Sequence, residues 1–109
     1  MKRGETWIAA GGGDYTGKPR PVVIVQDDRF EETNSVTICA ITGDSTEAPL
    51  FRIPVSAGPD NGLVEDSHVM VDKISTVRRE RLSRQIGALS AGDMRRIDRA
   101  ILVFLGIAG

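Results

Sequence analysis

Short apolar runs separated by turn-forming residues fill the chain as far as Leu89, and this pattern leaves little room for helices. β-branched residues dominate the runs, and glycine, proline, asparagine or aspartate stands between them, which is typical of β-strands joined by turns. Pro54 indicates an edge strand or a strand end, because proline cannot donate to a sheet hydrogen-bond ladder. The predicted strands are Thr6–Ala9, Pro21–Gln26, Val36–Ile41, Phe51–Val55, Ser67–Val71, Ile74–Val77 and Gln85–Leu89.

One helix is predicted after the strands, from a Ser90 cap to Gly106. Asp93 lies in its positive first turn, and apolar residues then recur at helical spacing on one side. Those apolar residues are Met94, Ile97, Ile101, Phe104 and Leu105. The three arginines on the other side, Arg95, Arg96 and Arg99, are expected to form a solvated face rather than an RNA contact. The predicted fold class is mainly β with a C-terminal helix, a strongly bent sheet or barrel in a single domain over residues 1–109.

Composition limits the partners and the compartment. The net charge of −1 gives no overall basic field, so a polyanion would have to bind a local patch. No apolar run is long enough to cross a membrane, and the start of the chain lacks the apolar core of a signal peptide. The single cysteine, Cys39, lies in an apolar strand, is expected to be a buried small hydrophobe, and fits a reducing compartment. A cytoplasmic location with no membrane partner is therefore predicted.

The basic segment Lys18–Gln26 combines two prolines with an apolar strand. Each proline fixes its own φ and favours an extended residue before it, so Lys18 and Arg20 are held at the mouth of the strand. Arg20 is thus a permanent cation with little backbone freedom, which suits binding of a phosphate or a carboxylate. The alternative is an ordinary surface arginine beside a strand.

Metal-dependent and covalent chemistry find little support in the residue types. The chain has one histidine, His68, and one cysteine, and no carboxylates stand at ligand spacing around them, so no metal and no cofactor are predicted. His68 is expected to be structural, with a catalytic role left open. A guanidinium from Arg20 and a hydroxyl from Thr42, which follows a buried strand, could stabilise charge on a phosphorane. Because RNA supplies its own 2′-hydroxyl nucleophile, such a pair would suit RNA transesterification.

The glycine-rich loop between the first two strands, residues 10–17, is not a nucleotide-binding P-loop. It leads into a strand rather than a helix and lacks a Gly-Lys-Ser/Thr ending. Tyr15 in this loop could stack on a base or fold back on the core, and the sequence favours neither.

Taken in order, the motifs of the chain resemble the MazF/PemK (Kid) toxins of type II toxin–antitoxin modules along nearly its whole length. The opening Arg-Gly-Glu-x-Trp, the Gly-x-x-Arg-Pro-Val strand and the acidic-x-Ile-x-Thr-Val strand are each similar to a family motif. The segments that carry the resemblance are Arg3–Trp7, Gly17–Gln26, Ala40–Thr42, Gly62–Ser67, Val71–Val77, Arg81–Leu82, Ile86–Gly87 and Leu105–Ile107.

This resemblance implies an SH3-like barrel that works as a homodimer. It implies a sequence-specific, metal-independent endoribonuclease that cuts single-stranded RNA, chiefly mRNA, and leaves a 2′,3′-cyclic phosphate and a 5′-hydroxyl. Arg20 and Thr42 match the family's catalytic arginine and threonine. A MazE-like antitoxin with an acidic, disordered C-terminal segment would cover the RNA groove. The candidate RNA-binding or auxiliary residues are Tyr15, Thr16, Lys18, Gly43 and Asp72.

The chain departs from the family pattern around Asp72. Some members carry an arginine two residues before the matching acidic residue, which serves there as a general base, and this chain has Met70 at that position. Lys73 and Ser75 replace the usual glutamine and arginine of the same motif. Participation of Asp72 as a base is therefore left open, and Arg20 with Thr42 could act alone.

Two other functions compete with the nuclease. The first is a CcdB-like poison on the same fold, which would bind DNA gyrase and cut nothing. The second is an SH3-like adaptor that binds RNA or protein and leaves it intact. Arg20 and Thr42 at neighbouring strand ends favour the nuclease, and the chain's C-terminal residues offer no Trp or acidic anchor for a gyrase contact.

Overall fold

The computed structural model describes residues 1–10, 18–44 and 47–109. These residues form a six-stranded antiparallel sheet and a C-terminal helix, as predicted for the fold class. The strands are β1 (Glu5–Ala9), β2 (Arg20–Ile24), β3 (Ser35–Thr42), β4 (Arg52–Val55), β5 (Ser67–Arg78) and β6 (Leu82–Ala88), and the helix is α1 (Ala91–Phe104). The strand order is β4-β5-β3-β2-β1-β6, so the strand that carries Pro54 lies at an edge, as its proline indicated.

Strand β5 is longer than the sequence predicted. Ser67–Val71 and Ile74–Val77 were predicted as two strands, but they are parts of one 12-residue strand. Its register against β3 shifts between Cys39, which pairs with Ile74, and Ala40, which pairs with Met70. The polar residues Asp72 and Lys73 therefore mark a bulge rather than a break, because a ladder can resume beyond extra residues.

The helix covers one face of the sheet. Its cap is the predicted one: the Ser90 Oγ accepts the backbone N–H of Asp93 at 3.1 Å. A core cluster packs between α1 and alternate residues of the central strands, including Val23, Cys39, Ile41, Val69, Val71, Met94, Ile97 and Ala100. Beyond Ala100 the apolar side is only partly covered: Phe104 and Leu105 are 45% and 51% exposed, and the Phe104 ring lies 6.1 Å from the ring of Phe51.

The opposite face of the same strands carries a second, smaller core. It contains Ala9, Val22, Ile24, Val36, Ile38 and Leu82. Successive side chains of a strand point to opposite faces, so Val22 and Val23 enter different clusters. The central strands are consequently buried on both faces, which explains their nearly continuous runs of apolar residues.

A tight turn anchors β6 and accounts for two glycines of the family-like motifs. Gly62 has φ +70°, and a Cβ there would collide with the carbonyl group of Ile86. A Cβ on Gly87 would meet the backbone of Asp60 and Asn61 in the same way.

Among the described residues, no helix is long and apolar enough to cross a membrane.

Candidate active site

Arg20 stands at the junction that the sequence predicted. It is the first residue of β2 and pairs with Ala9 of β1, and it is half-buried. The exposed Lys18 and Pro19 precede it directly. Pairing with β1 therefore fixes the backbone of Arg20 at the start of the strand.

Thr42 is the last residue of β3 and is only 6% exposed. Its Oγ1 accepts the backbone N–H of Asp44 at 3.1 Å. A threonine hydroxyl has one hydrogen and two lone pairs, so this bond leaves the hydroxyl hydrogen available to donate. The contact also fixes the side chain where the strand turns into the following loop.

The register of the sheet directs these two residues toward each other. The β2–β3 pairing reaches Val22 and Ala40 at this end, and the same register, extended by two residues, would set Arg20 opposite Thr42. Thr42 in turn pairs with His68 of β5. Directly opposed residues share a face of the sheet, and neighbouring strands lie about 4.8 Å apart. We call the three residues Arg20, Thr42 and His68 the polar row, and it lies on the face opposite α1.

Asp72 is held by a partner that the sequence did not reveal. Arg52 of β4 donates to both of its carboxylate oxygens, from Nε at 2.7 Å and from a terminal nitrogen at 2.9 Å. The hydrogen bond from Arg52 is the main reason that the pKa of Asp72 is lowered from its ordinary value. A carboxylate so engaged is a poor proton acceptor, so the geometry favours a binding or positioning role for Asp72 over a role as base.

Arg52 lies beside the motif position at which this chain lacks the arginine of some family members. It pairs across the strands with Met70, the position at which some family members carry arginine. Its guanidinium also lies 5.9 Å from the ring centroid of Phe51. Sequence reasoning missed Arg52 because its partner is 20 residues away. The usable signal was a charged residue inside a short, otherwise apolar edge strand.

A second acidic residue approaches the end of β3. The carboxylate of Glu65 lies so close to Gly43 that a Cβ on this glycine would collide with it. Glu65 and Gly43 are both exposed. Gly43 thus allows a negative charge to sit next to Thr42, and Glu65 is a further residue that sequence reasoning did not select.

His68 completes the polar row with an unusual ring nitrogen. The side chain is half-buried, and its Nδ1 is enclosed without a hydrogen-bond partner among the described residues. Two other predicted residues, Tyr15 and Thr16, lie outside the described residues. Lys18 is exposed two residues before Arg20, within reach of a backbone that crosses the polar row.

Cys39 is not part of this site. It is fully buried in the helix-side core, as the sequence predicted, and burial raises the pKa of its thiol to about 12. A thiol with this pKa is not a nucleophile at neutral pH. Arg95, Arg96 and Arg99 of α1 are exposed, and Arg96 donates to Asp93 and to the carbonyl of Pro54.

Comparison with known proteins shows the family to which the chain belongs. Residues 2–105 match the family model described as PemK-like, MazF-like toxin of type II toxin-antitoxin system. The chain belongs to the PemK/MazF family. A probable endoribonuclease MazF of Mycolicibacterium smegmatis is 53% identical over 109 residues, which covers the whole of both chains. The resemblance inferred from the sequence motifs is thereby confirmed.

Solved structures of family members share the fold of this MazF-like chain. The toxin MazF-mt6 of Mycobacterium tuberculosis superposes with a TM-score of 0.80 at 28% identity, covering 96% of this chain and 99% of that one. An endoribonuclease from a mycobacterial species, solved with its cognate antitoxin, gives a TM-score of 0.80 at 24% identity, with 100% of this chain and 98% of that one covered. Relatives with endoribonuclease names favour the nuclease over the gyrase-binding alternative.

Proposed function

We propose that this chain is a sequence-specific, metal-independent endoribonuclease toxin that cuts single-stranded RNA, chiefly mRNA. The enzyme class, endoribonuclease, is that of its relative at 53% identity. One observation carries the assignment of the site: the β2–β3 register, extended to the strand ends, sets Arg20 beside Thr42 at the edge of the second core. A guanidinium and a hydroxyl donor side by side form a compact anion site.

The chemistry assigned to this site is transesterification within the RNA. The 2′-oxygen bonds to the adjacent phosphorus, the bond from phosphorus to the 5′-oxygen breaks, and the products are a 2′,3′-cyclic phosphate and a 5′-hydroxyl. The proton of the 2′-hydroxyl passes to solvent, and solvent protonates the departing 5′-oxygen. Arg20 neutralises charge that develops on the non-bridging oxygens, and the Thr42 hydroxyl donates to one of them.

The remaining predicted residues bind or orient RNA around this centre. Lys18 contacts a neighbouring phosphate, and Tyr15 and Thr16 contact bases or backbone from the loop before it. Gly43 leaves room for the backbone at the end of β3. Asp72, held by Arg52, acts as an auxiliary residue that shapes the floor of the groove.

The partners proposed for this toxin are an antitoxin and a second copy of the chain. Membership of a type II toxin family supports a MazE-like antitoxin whose acidic segment competes with RNA for Arg20 and Lys18. A homodimer would cover apolar side chains that remain exposed at the end of α1, such as Leu102, Phe104 and Leu105. The protein acts in the cytoplasm, where mRNA is available.

The test is incubation of the purified protein with a long single-stranded RNA in excess EDTA, followed by mapping of cut sites and end groups. We expect discrete cuts with cyclic phosphate ends. Arg20→Ala should slow cutting by about 10²–10³-fold, as removal of one charge-stabilising donor does elsewhere. Arg99→Ala, which removes an exposed arginine from α1, is the matched control and should cut normally. Intact RNA across varied sequences would overturn the proposal.

A further inference from the structure

We propose that His68 is a third phosphate-contacting residue of this site, whose Nε2–H donates to a non-bridging oxygen of the RNA. The inference rests on the proposed ribonuclease function and extends it to a residue on another strand. It concerns a hydrogen bond to the substrate and not a proton transfer.

Position is the first argument. His68 pairs directly with Thr42 in the β3–β5 ladder, and the β2–β3 register, extended two residues beyond the Val22–Ala40 pair, sets Arg20 on the other side of Thr42. With strands about 4.8 Å apart, the backbones of Arg20 and His68 are separated by about 10 Å. A phosphate placed over the Thr42 hydroxyl would therefore have a guanidinium on one side and an imidazole on the other. These two flanking groups approach different oxygens of the same phosphate.

The state of the ring is the second argument. The Nδ1 of His68 is enclosed and has no hydrogen-bond partner within the described part of the chain, whereas Nε2 is not enclosed in this way. An enclosed N–H without an acceptor is rarer in proteins than an acceptor without a donor. The neutral ring therefore carries its proton on Nε2, the nitrogen that can reach an incoming ligand. This tautomer is a hydrogen-bond donor at Nε2 and cannot act there as a base.

The surrounding charges make an anion the natural acceptor. Arg20 lies two strands away in the same row, and Arg52 on β4 is diagonal to His68 but engaged by Asp72. Two acidic residues lie near this end of β3: Glu65, whose carboxylate is close to Gly43, and Asp44, whose charge acts on Arg52. A phosphate between Arg20 and His68 meets donors on both flanks, and the charge of Glu65 remains at the end of β3.

Replacement of His68 by two residues separates hydrogen bonding from other roles. His68→Leu removes the donor and should slow cleavage by about 10- to 100-fold, the usual range for a hydrogen bond to a charged group. The same variant should also weaken binding of a 2′-deoxy oligonucleotide, which cannot be cut. His68→Gln places an amide N–H near the former Nε2 and should restore most of both properties. Thermal unfolding of each variant reports whether the fold is intact.

A spectroscopic measurement tests the tautomer without any variant. His68 is the only histidine in the chain, so ¹⁵N-histidine labelling gives a single imidazole whose two nitrogen shifts need no assignment. We expect the Nε2–H tautomer in the free protein and a change at Nε2, not at Nδ1, when the 2′-deoxy oligonucleotide binds.

Several outcomes would contradict the inference while leaving the ribonuclease proposal standing. The first is an Nδ1–H tautomer, and the second is unchanged cleavage in folded His68→Leu. The third is failure of His68→Gln to restore activity, together with loss of a neutral-pH step in the pH profile of the cleavage rate. The last result would indicate proton transfer by His68. Absence of cleavage by the wild-type protein, in contrast, would remove the proposed function itself.

Discussion

The two faces of the central strands are used differently, although the same strands build both. The face under α1 is closed by Met94, Ile97 and Ala100, and its residues are almost entirely apolar. The other face has a small core around Val22 and Ile38, and it continues into polar side chains at the strand ends. The residues proposed as catalytic thus lie at strand ends, beyond the last core residues on their face of the sheet.

This difference shows how a chain of about 11.8 kDa supports a site without separate structural elements for it. Side chains along β3 alternate between the two faces of the sheet. One set packs in the helix-side core, and the other set ends at Thr42. We therefore expect the face under α1 to set stability and the polar row at the strand ends to set activity. Substitutions that respect this division should change one property and leave the other nearly constant.

The largest expected effect on stability comes from the closed face. Ile97 is completely buried, and Ile97→Ala should lower the free energy of unfolding by about 2–5 kcal/mol. Urea denaturation measures this change, and cleavage per folded molecule should stay at the wild-type rate. Ile107→Ala is the matched control, because Ile107 is 69% exposed and its loss should change stability by less than about 0.5 kcal/mol. A folded Ile97→Ala protein with strongly reduced cleavage would break the division between the faces.

The next largest effect belongs to the polar row. Thr42→Val keeps the side-chain shape but removes the hydroxyl, and cleavage should fall by about 10²–10³-fold, or about 2.7–4 kcal/mol of transition-state stabilisation. The same substitution at Thr37, also on β3, removes a hydroxyl that meets the Thr76 hydroxyl at 2.8 Å. Thr37→Val should cost about 0.5–1.5 kcal/mol of stability and leave cleavage unchanged. Rapid cleavage by folded Thr42→Val would remove this hydroxyl from the mechanism.

Local sequence signals predicted the strand ends well. The Pro-Arg-Pro segment and the Gly-Asp following Thr42 fixed where β2 begins and where β3 ends, and these are properties of a few adjacent residues. Ser90 and Asp93 predicted the helix start for the same reason. The two residues proposed as catalytic were accordingly found at strand ends before any pairing was known.

Contacts between strands could not be predicted in the same way. The Arg52–Asp72 pair depends on which strand lies at the edge and on the bulge in β5, and neither follows from local pattern. The approach of Glu65 to Gly43 depends on how a turn packs against the end of another strand. One resulting error was to divide β5 at Asp72, because two polar residues resemble a strand break until their partners are known.

A moderate effect is expected from the ion pair beside the row. Asp72→Asn weakens the two hydrogen bonds from Arg52 and should lower stability at pH 7 by about 1–3 kcal/mol. The pKa of Asp72 is lowered in the folded state, so its contribution is present above the ordinary carboxyl range and is lost as pH falls through the folded value. Wild type and variant should therefore begin to converge as the pH falls below about 4, near the unperturbed value for aspartate, and should meet only below the lowered folded pKa of Asp72.

The control for this pair is Asp60→Asn, which changes an exposed aspartate. Its stability should stay within about 0.5 kcal/mol of wild type at both pH 7 and pH 3. A difference between wild type and Asp72→Asn that did not shrink between pH 7 and pH 3 would mean that charge on Asp72 is not what stabilises this corner of the sheet.

The smallest effect concerns Glu65, a negative charge that lies next to Gly43 at the end of β3. A carboxylate beside Gly43 repels RNA phosphates, so Glu65→Gln should tighten binding of a 2′-deoxy oligonucleotide. Exposed charges interact by about 0.2–1 kcal/mol, which corresponds to an affinity gain of no more than about fivefold. Because salt screens such interactions, the gain should disappear at about 1 M ionic strength, where the Debye length is about 3 Å. Glu80→Gln neutralises an exposed carboxylate between β5 and β6 and should give a smaller gain. Equal gains from both variants would mean that overall charge, rather than the position of Glu65 at the end of β3, controls RNA binding.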